Sequence, residues 1–367
     1  MKKCCFLWNR VRYAQKKCAK KGSRRGKKDE KQVAGLLLCL IAVCLTLTAC
    51  SGPREEEEKT SIRIGVSLYR GDDTFINNIR NELEAKAKEY EQEKGIKVTL
   101  DIQDARGSQS TQNNQVERFI SLGCDVLCIN PVDRMDASVI IDKAMTAEVP
   151  VVFFNRQPVE EDMNRWDKLY YIGVDAKETA MLQGQMVVDL YREQPSVIDL
   201  NGDGVVSYVL LEGESSHQDS LIRTEWSIQT LKDGGVPIEK ITGGIANWER
   251  SQASALMEQW LNEYPDTIEL VVSNNDDMAL GAIDALDRAG TGGVNVVGTD
   301  GTVPGLEALE SGKLLGTVSA NKEIYGSAII EIAASCALGE RLPEEYPLTD
   351  GTYYWPPQEI LMRGEND

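Results

Sequence analysis

Nine short runs rich in Val and Ile recur along the 367-residue chain, and most are followed by a segment whose apolar residues repeat at helical spacing. The runs lie at 62–68, 98–102, 126–129, 149–154, 170–174, 205–211, 268–273, 294–298 and 315–319, with helical patterns at 76–94, 111–122, 176–191, 219–232, 251–264 and 276–289. Most of the runs do not alternate apolar with polar residues, so both faces of those strands must be covered. That is the signature of a parallel sheet with helices on both sides. The expected architecture is α/β and doubly wound, with binding sites outside the carboxyl ends of the strands.

The polar residues of interest fall at those ends. Asp72, Asp73 and Phe75 follow the first run, and Asn130 follows the third. His217 is the chain's one histidine, and with Asp219 and Arg223 it follows the run ending at Leu211. Asn274, Asn275 and Asp276 follow Ser273, and Asp300 follows the run starting at Val294. Each has a plain structural alternative. Asp73 and Asp276 are good helix N-caps, Phe75 and Trp248 would suit a core, and His217 and Arg223 would suit a solvated surface. Taken together they supply paired donors and acceptors and two flat apolar faces, the chemistry that a pyranose sugar requires. No dinucleotide glycine fingerprint, phosphate loop or Ser-His-Asp spacing occurs, and no nucleophile or acid-base pair accompanies His217.

A second motif runs from Asp199 to Ser207, where Asp199, Asn201 and Asp203 occupy positions 1, 3 and 5 of a calcium-loop spacing. Gly204 stands at position 6, and the carbonyl of Val205 is expected as the ligand at position 7. Position 12 is Leu210, so the bidentate carboxylate of a helix-loop-helix site is missing here and must come from elsewhere. The alternative is an Asx-rich turn with no ion.

The first 31 residues carry 13 Lys or Arg and two acids, followed by an apolar run over 33–47 that is short for a membrane span. The run ends in Leu47-Thr48-Ala49-Cys50, which resembles a bacterial lipoprotein signal in which Cys50 becomes the lipidated first residue; a signal anchor or an incidental Cys is the alternative. Residues 1–49 are therefore expected to be a leader and 50–60 a charged tether. Without the leader the chain has 27 basic and 56 acidic residues, a net charge of about −29. Nucleic acid is an unsuitable partner for such a surface. Cys124, Cys128 and Cys336 remain after Cys50, with no disulfide framework or zinc spacing, and Cys124 and Cys128 read as buried small residues.

From about 62 to 360 the chain resembles the galactose/glucose-binding branch of the periplasmic sugar-binding proteins. The stretches that carry the resemblance include Ile64-Gly65-Val66 through Tyr69 with Asp72-Asp73-Thr74-Phe75, Ile129-Asn130-Pro131-Val132-Asp133, Pro150 through Asn155, and the Asp199 loop. Gly213-Glu214 with His217-x-Asp219 and Arg223, Trp248, Asn274-Asn275-Asp276 and Gly298-Thr299-Asp300 complete it. The resemblance implies a sugar-binding polar set of Asp73, Asn130, His217, Asp219, Arg223, Asn275 and Asp300, with Phe75 and Trp248 as stacking rings. It implies calcium at Asp199, Asn201, Asp203, the Val205 carbonyl, Ser207 and Glu269. Ser207 stands where the family usually has Gln. Ala320 stands where the family has Asn, with Asn321 one position later, so Asn321 joins the candidate set.

The same resemblance implies two Rossmann-like lobes joined by a three-crossing hinge, over 60–149 plus 320–350 and 150–319 plus 351–367. It implies a monomer outside the cytoplasm that delivers D-galactose or D-glucose to an ABC permease. A sensing subunit for a membrane receptor or histidine kinase would use the same lobes. A sugar-responsive repressor would share the fold, but the acidic charge, the leader and the lack of a helix-turn-helix start speak against it.

Overall fold

A computed structural model describes residues 59–364; the leader, Cys50 and all of the tether up to residue 58 lie outside the described residues. Lys59–Asp367 form one compact unit. It contains β1 Ser61–Leu68, α1 Thr74–Lys94, β2 Lys97–Asp104, α2 Gln109–Ser121, β3 Val126–Ile129, α3 Ala137–Ala147, β4 Val151–Phe154, α4 Glu160–Met163 and β5 Leu169–Ile172. Next come α5 Ala176–Glu193, α6 Pro195–Ile198, β6 Val206–Glu212, α7 Gln218–Asp233, β7 Ile238–Ile245, α8 Arg250–Glu263, β8 Leu270–Ser273, α9 Asp276–Ala289, β9 Asn295–Asp300, α10 Val303–Glu310 and β10 Gly316–Ala320. The chain ends with α11 Lys322–Leu338, β11 Tyr353–Tyr354 and β12 Gln358–Met362.

These strands form two six-stranded sheets, ordered β2-β1-β3-β4-β5-β11 and β7-β6-β8-β9-β10-β12. Every pairing is parallel except that of β10 with β12. The packing explains why the apolar runs do not alternate. In the first sheet Val126, Cys128, Val152 and Phe154 pack with α1 and α11, whereas Leu127, Ile129, Val151 and Phe153 face α2 and α3. In the second, Val209, Leu211 and Val271 pack with α8 and α9, whereas Tyr208, Leu210 and Val272 pack toward α5 and α7. Both faces of β3 and β4 are dry, and every position in those two strands is apolar.

The lobe boundary differs from the expected one. β4 pairs with β3 through Leu127 and Val151, and β5 pairs with β4, so both strands belong to the first sheet. The chain therefore leaves the first lobe after Ile172 rather than at 149–150. It returns after Ala320, which lies in the second sheet, and crosses again after Tyr354 rather than at 350. Three connections thus join the lobes, and they run side by side. Gly173 N donates to Tyr354 O at 3.2 Å, Asn321 N to Pro357 O at 3.3 Å, and Gln358 Nε2 to Asp175 O at 3.1 Å. Tying the three strands together leaves the lobes a narrow pivot.

Candidate functional site

Both sheets reverse their strand order in the middle, between β1 and β3 in one lobe and between β6 and β8 in the other. The loops at the carboxyl ends open a crevice at such a switch point. The two crevices face each other and form one cleft. Its inner chamber is lined by Asp73, Phe75, His217, Asp219, Arg223, Trp248, Asn275 and Asp300, together with Tyr69, Ile76, Asn155 and Arg156. Eight of the ten residues expected from the sequence meet there, drawn from both lobes.

Several of them are fixed by helix starts. Asp73 is the N-cap of α1, its Oδ1 accepting from Ile76 N at 2.9 Å, while Oδ2 accepts from the Tyr69 hydroxyl at 2.5 Å. Asn275 caps α9 through Met278 N at 2.9 Å. His217 caps α7 with its ring: Nδ1 accepts from Asp219 N at 3.1 Å. That bond assigns the tautomer, leaving Nε2 as the protonated nitrogen and a donor. Capping a helix and lining the chamber are therefore combined in the same side chains rather than being alternatives.

Arg223 is anchored by Nη1, which donates to Asn274 O at 2.7 Å, Thr299 Oγ1 at 2.8 Å and Asp300 Oδ1 at 3.1 Å. Its Nε has no partner within the protein, and the same is true of Trp248 Nε1 and Arg156 Nε. All three are buried donors on chamber-lining residues, and a buried donor without a partner is costly. Trp248 lies against Gly213, where a Cβ would come within 2.1 Å of the indole, and meets His217 edge-on at 5.3 Å. Gly213 is thus required for the ring to reach the chamber. Phe75 packs edge-on against Tyr325 at 6.2 Å. Asn155, Trp248 and Asp300 have φ of +63°, +65° and +110°, so three lining residues hold conformations that a non-glycine side chain rarely adopts.

Burial, aided by Arg156, Arg223 and Arg134, holds the His217 imidazole well below its ordinary range, so it is neutral at pH 7. Burial pushes Asp219 up to about 6, against the opposing pull of Arg223, Arg156 and Arg134. No helix among the described residues is long and apolar enough to cross a membrane.

Two expected residues are not in the chamber lining. Asn130 is fully buried one layer behind it, its Oδ1 accepting from Tyr69 N at 3.3 Å and its Nδ2 donating to Asn155 Oδ1 at 3.0 Å. It orients Asn155, which does face the chamber. Asn321 sits at the hinge and caps α11 through Ile324 N at 3.1 Å, so its side chain is engaged there. Tyr69, Asn155 and Arg156 were absent from the expected set, although Asn155 and Arg156 directly follow β4 and obey the same carboxyl-end rule.

The Asp199 loop lies at the start of β6. Glu269 does reach it: Oε1 accepts from Leu200 N at 2.7 Å and Asn201 N at 3.0 Å, and Oε2 from Ser207 N at 2.8 Å. Asp199 accepts from Gly202 N and Gly204 N at 2.8 and 3.0 Å. The donor set is all oxygen and suits a hard cation. The carboxylates are turned to backbone amides, and no group of three acids, His or Cys gathered on a common point occurs among the described residues.

Two lobes, a pivot between them and a polar chamber walled by aromatic rings define a cleft-binding protein. A model of the periplasmic binding protein domain matches residues 64–341. The chain belongs to that family. It is 35% identical to the D-galactose/methyl-galactoside binding periplasmic protein MglB of Haemophilus influenzae, over 77% of this chain and 83% of that one. It is 32% identical to a putative rhizopine-binding protein of Rhizobium meliloti, over 76% and 85%. Among solved structures, an ABC transporter solute binding protein of Bacillus halodurans with bound myo-inositol superposes with a TM-score of 0.69 at 29% identity, covering 84% of this chain and 96% of the other. The chain is a solute-binding protein, not an enzyme.

Proposed function

We propose that this protein captures D-galactose or D-glucose outside the cytoplasm and presents its closed form to an ABC permease. The observation that carries the reading is the chamber itself. Donors on His217, Arg223, Trp248 and Arg156 converge with the carboxylates of Asp73, Asp219 and Asp300 between the rings of Phe75 and Trp248. Each sugar hydroxyl both donates and accepts, and the C–H faces of the ring stack on aromatic surface. The inner chamber is narrow, about 40 Å³, and adjoins an outer cavity of about 390 Å³ with which it shares Tyr69, Arg156, His217 and Asp219. Parting of the lobes about the pivot would widen the way in, and contacts from both lobes favour reclosure.

A cyclic polyol other than a hexose is the second reading, favoured by the inositol-bound neighbour at 29% identity. Equilibrium dialysis of labelled D-galactose separates them. Displacement by glucose but not by ribose or myo-inositol supports the hexose reading, and displacement by myo-inositol alone overturns it.

In the same reading, calcium is held by Asp199, Asn201, Asp203, the Val205 carbonyl, Ser207 and Glu269 and braces β6, whose far end carries His217. Cys50 carries the lipid that retains the protein at the membrane, and globomycin should then leave the leader uncleaved; normal processing would contradict it.

A further inference from the structure

Two ion pairs cross the mouth of the cleft. Arg70 Nη2, in the loop after β1, lies 2.5 Å from Glu249 Oε1, which precedes α8. Arg156 Nη2, in the loop after β4, lies 3.0 Å from Glu214 Oε2, in the loop after β6. Both cations belong to the first lobe and both anions to the second. The cations are held in place on their own lobe. Arg156 donates from Nη1 to Val132 O at 3.0 Å and its guanidinium sits 3.8 Å above the Tyr69 ring. Arg70 pairs with Asp72 at 2.7 Å and lies 5.8 Å from the same ring. For Arg156 little side-chain freedom remains to be lost when Glu214 arrives.

We infer that these pairs are a charge latch that favours closure whether or not sugar is bound, so that Arg70 and Glu249, which line no part of the inner chamber, set sugar affinity from outside it. This rests on the reading of the cleft as the sugar site. Opening moves each acid away from its cation, toward separations at which physiological salt screens most of the attraction. A ligand that binds the closed form has an apparent affinity scaled by the fraction of protein that is closed. Affinity for an uncharged sugar should therefore depend on salt, which the sugar's own hydrogen bonds do not require.

Glu249→Gln is the suitable variant. Glu249 is part-exposed, and its side chain makes no capping hydrogen bond to α8. Small-angle scattering of residues 59–367 without sugar, at 20 and 500 mM NaCl, reads the latch alone. The wild type is expected to be more compact than Glu249→Gln at 20 mM, with the two converging at 500 mM; equal dimensions at 20 mM would overturn the latch. Titration with D-galactose reads its consequence. The variant should bind about two- to fivefold more weakly at low salt, equal the wild type at high salt, and be rescued by the charge exchange Arg70→Glu with Glu249→Arg. Equal affinities at low salt would overturn it. If no hexose binds yet the scattering difference is present, the sugar reading fails and the latch stands.

Discussion

His217 shows how one side chain meets three demands at once. Its Nδ1 caps α7, that bond leaves Nε2 as a donor, and burial among Arg156, Arg223 and Arg134 keeps the ring neutral. Asp219 is its complement. Its carboxyl titrates near 6, raised by burial above the ordinary aspartate value of 3.8. A folded pKa above the unfolded one means that the native state holds a proton between about pH 4 and 6. The associated stability is full below pH 4 and is lost as pH rises through 6. Sugar affinity should run the other way, because a hydroxyl donates to the ionised carboxylate. Galactose binding is expected to strengthen severalfold from pH 5 to 7.5 by calorimetry, and Asp219→Asn to remove most of that slope. A wild-type profile that is flat, or that falls with pH, would take Asp219 out of direct contact with the sugar.

At the scale of elements, the sequence is most informative where burial is complete. The buried inner strands such as β3 and β4 are legible because a strand covered on both sides is apolar throughout, and the part-exposed edge strand β2 is legible from its alternating Val98, Leu100 and Ile102. β7 is not: its residues Ile238–Ile245 include Glu239, Lys240, Thr242 and two glycines, and lie at the sheet edge with several exposed. β11 has two residues, too few for any pattern, and β12 is a short edge strand with no fully buried position. The lobe boundary was misplaced for a related reason. A buried parallel strand looks the same in either sheet, and only pairing assigns β4 and β5 to the first. Most of the site is legible from the carboxyl-end rule, but nothing in the sequence sets Arg156 apart from other basic residues; what marks it is burial over Tyr69.

The Asp199 loop belongs to this scale as well. Glu269 was expected there as the remote carboxylate, and it closes on the loop through three backbone amides. Those bonds organise the loop whether or not an ion is present, so the decisive quantity is metal linkage. A metal that binds only the folded state raises the melting temperature according to its concentration over Kd. EDTA is expected to lower the melting temperature by several degrees, with calcium restoring it and Glu269→Gln abolishing the response. A melting temperature indifferent to chelator would leave the loop as an Asx-turn scaffold.

For the whole molecule, the arrangement couples binding to shape. Tyr325 illustrates the rigidity of the pivot: its hydroxyl accepts from Asn155 N at 3.0 Å and donates to Ile172 O at 3.1 Å, tying α11 to the cleft floor and to the first crossing. The lining of the chamber is split between the lobes. Ligand can shift the lobes only through the contacts it gains in the closed form. An outer cavity of about 390 Å³ shares Tyr69, Arg156, His217 and Asp219 with the inner one and provides the path inward.

The most direct measurement is isothermal titration of D-galactose into residues 59–367, beside the same titration of Trp248→Ala. The account predicts one site per chain with micromolar or tighter affinity in the wild type, and at least tenfold weaker binding in a variant that still melts cooperatively, since the stacking face is gone. Absence of heat with galactose and glucose in a folded wild type, or unchanged affinity in Trp248→Ala, would contradict it.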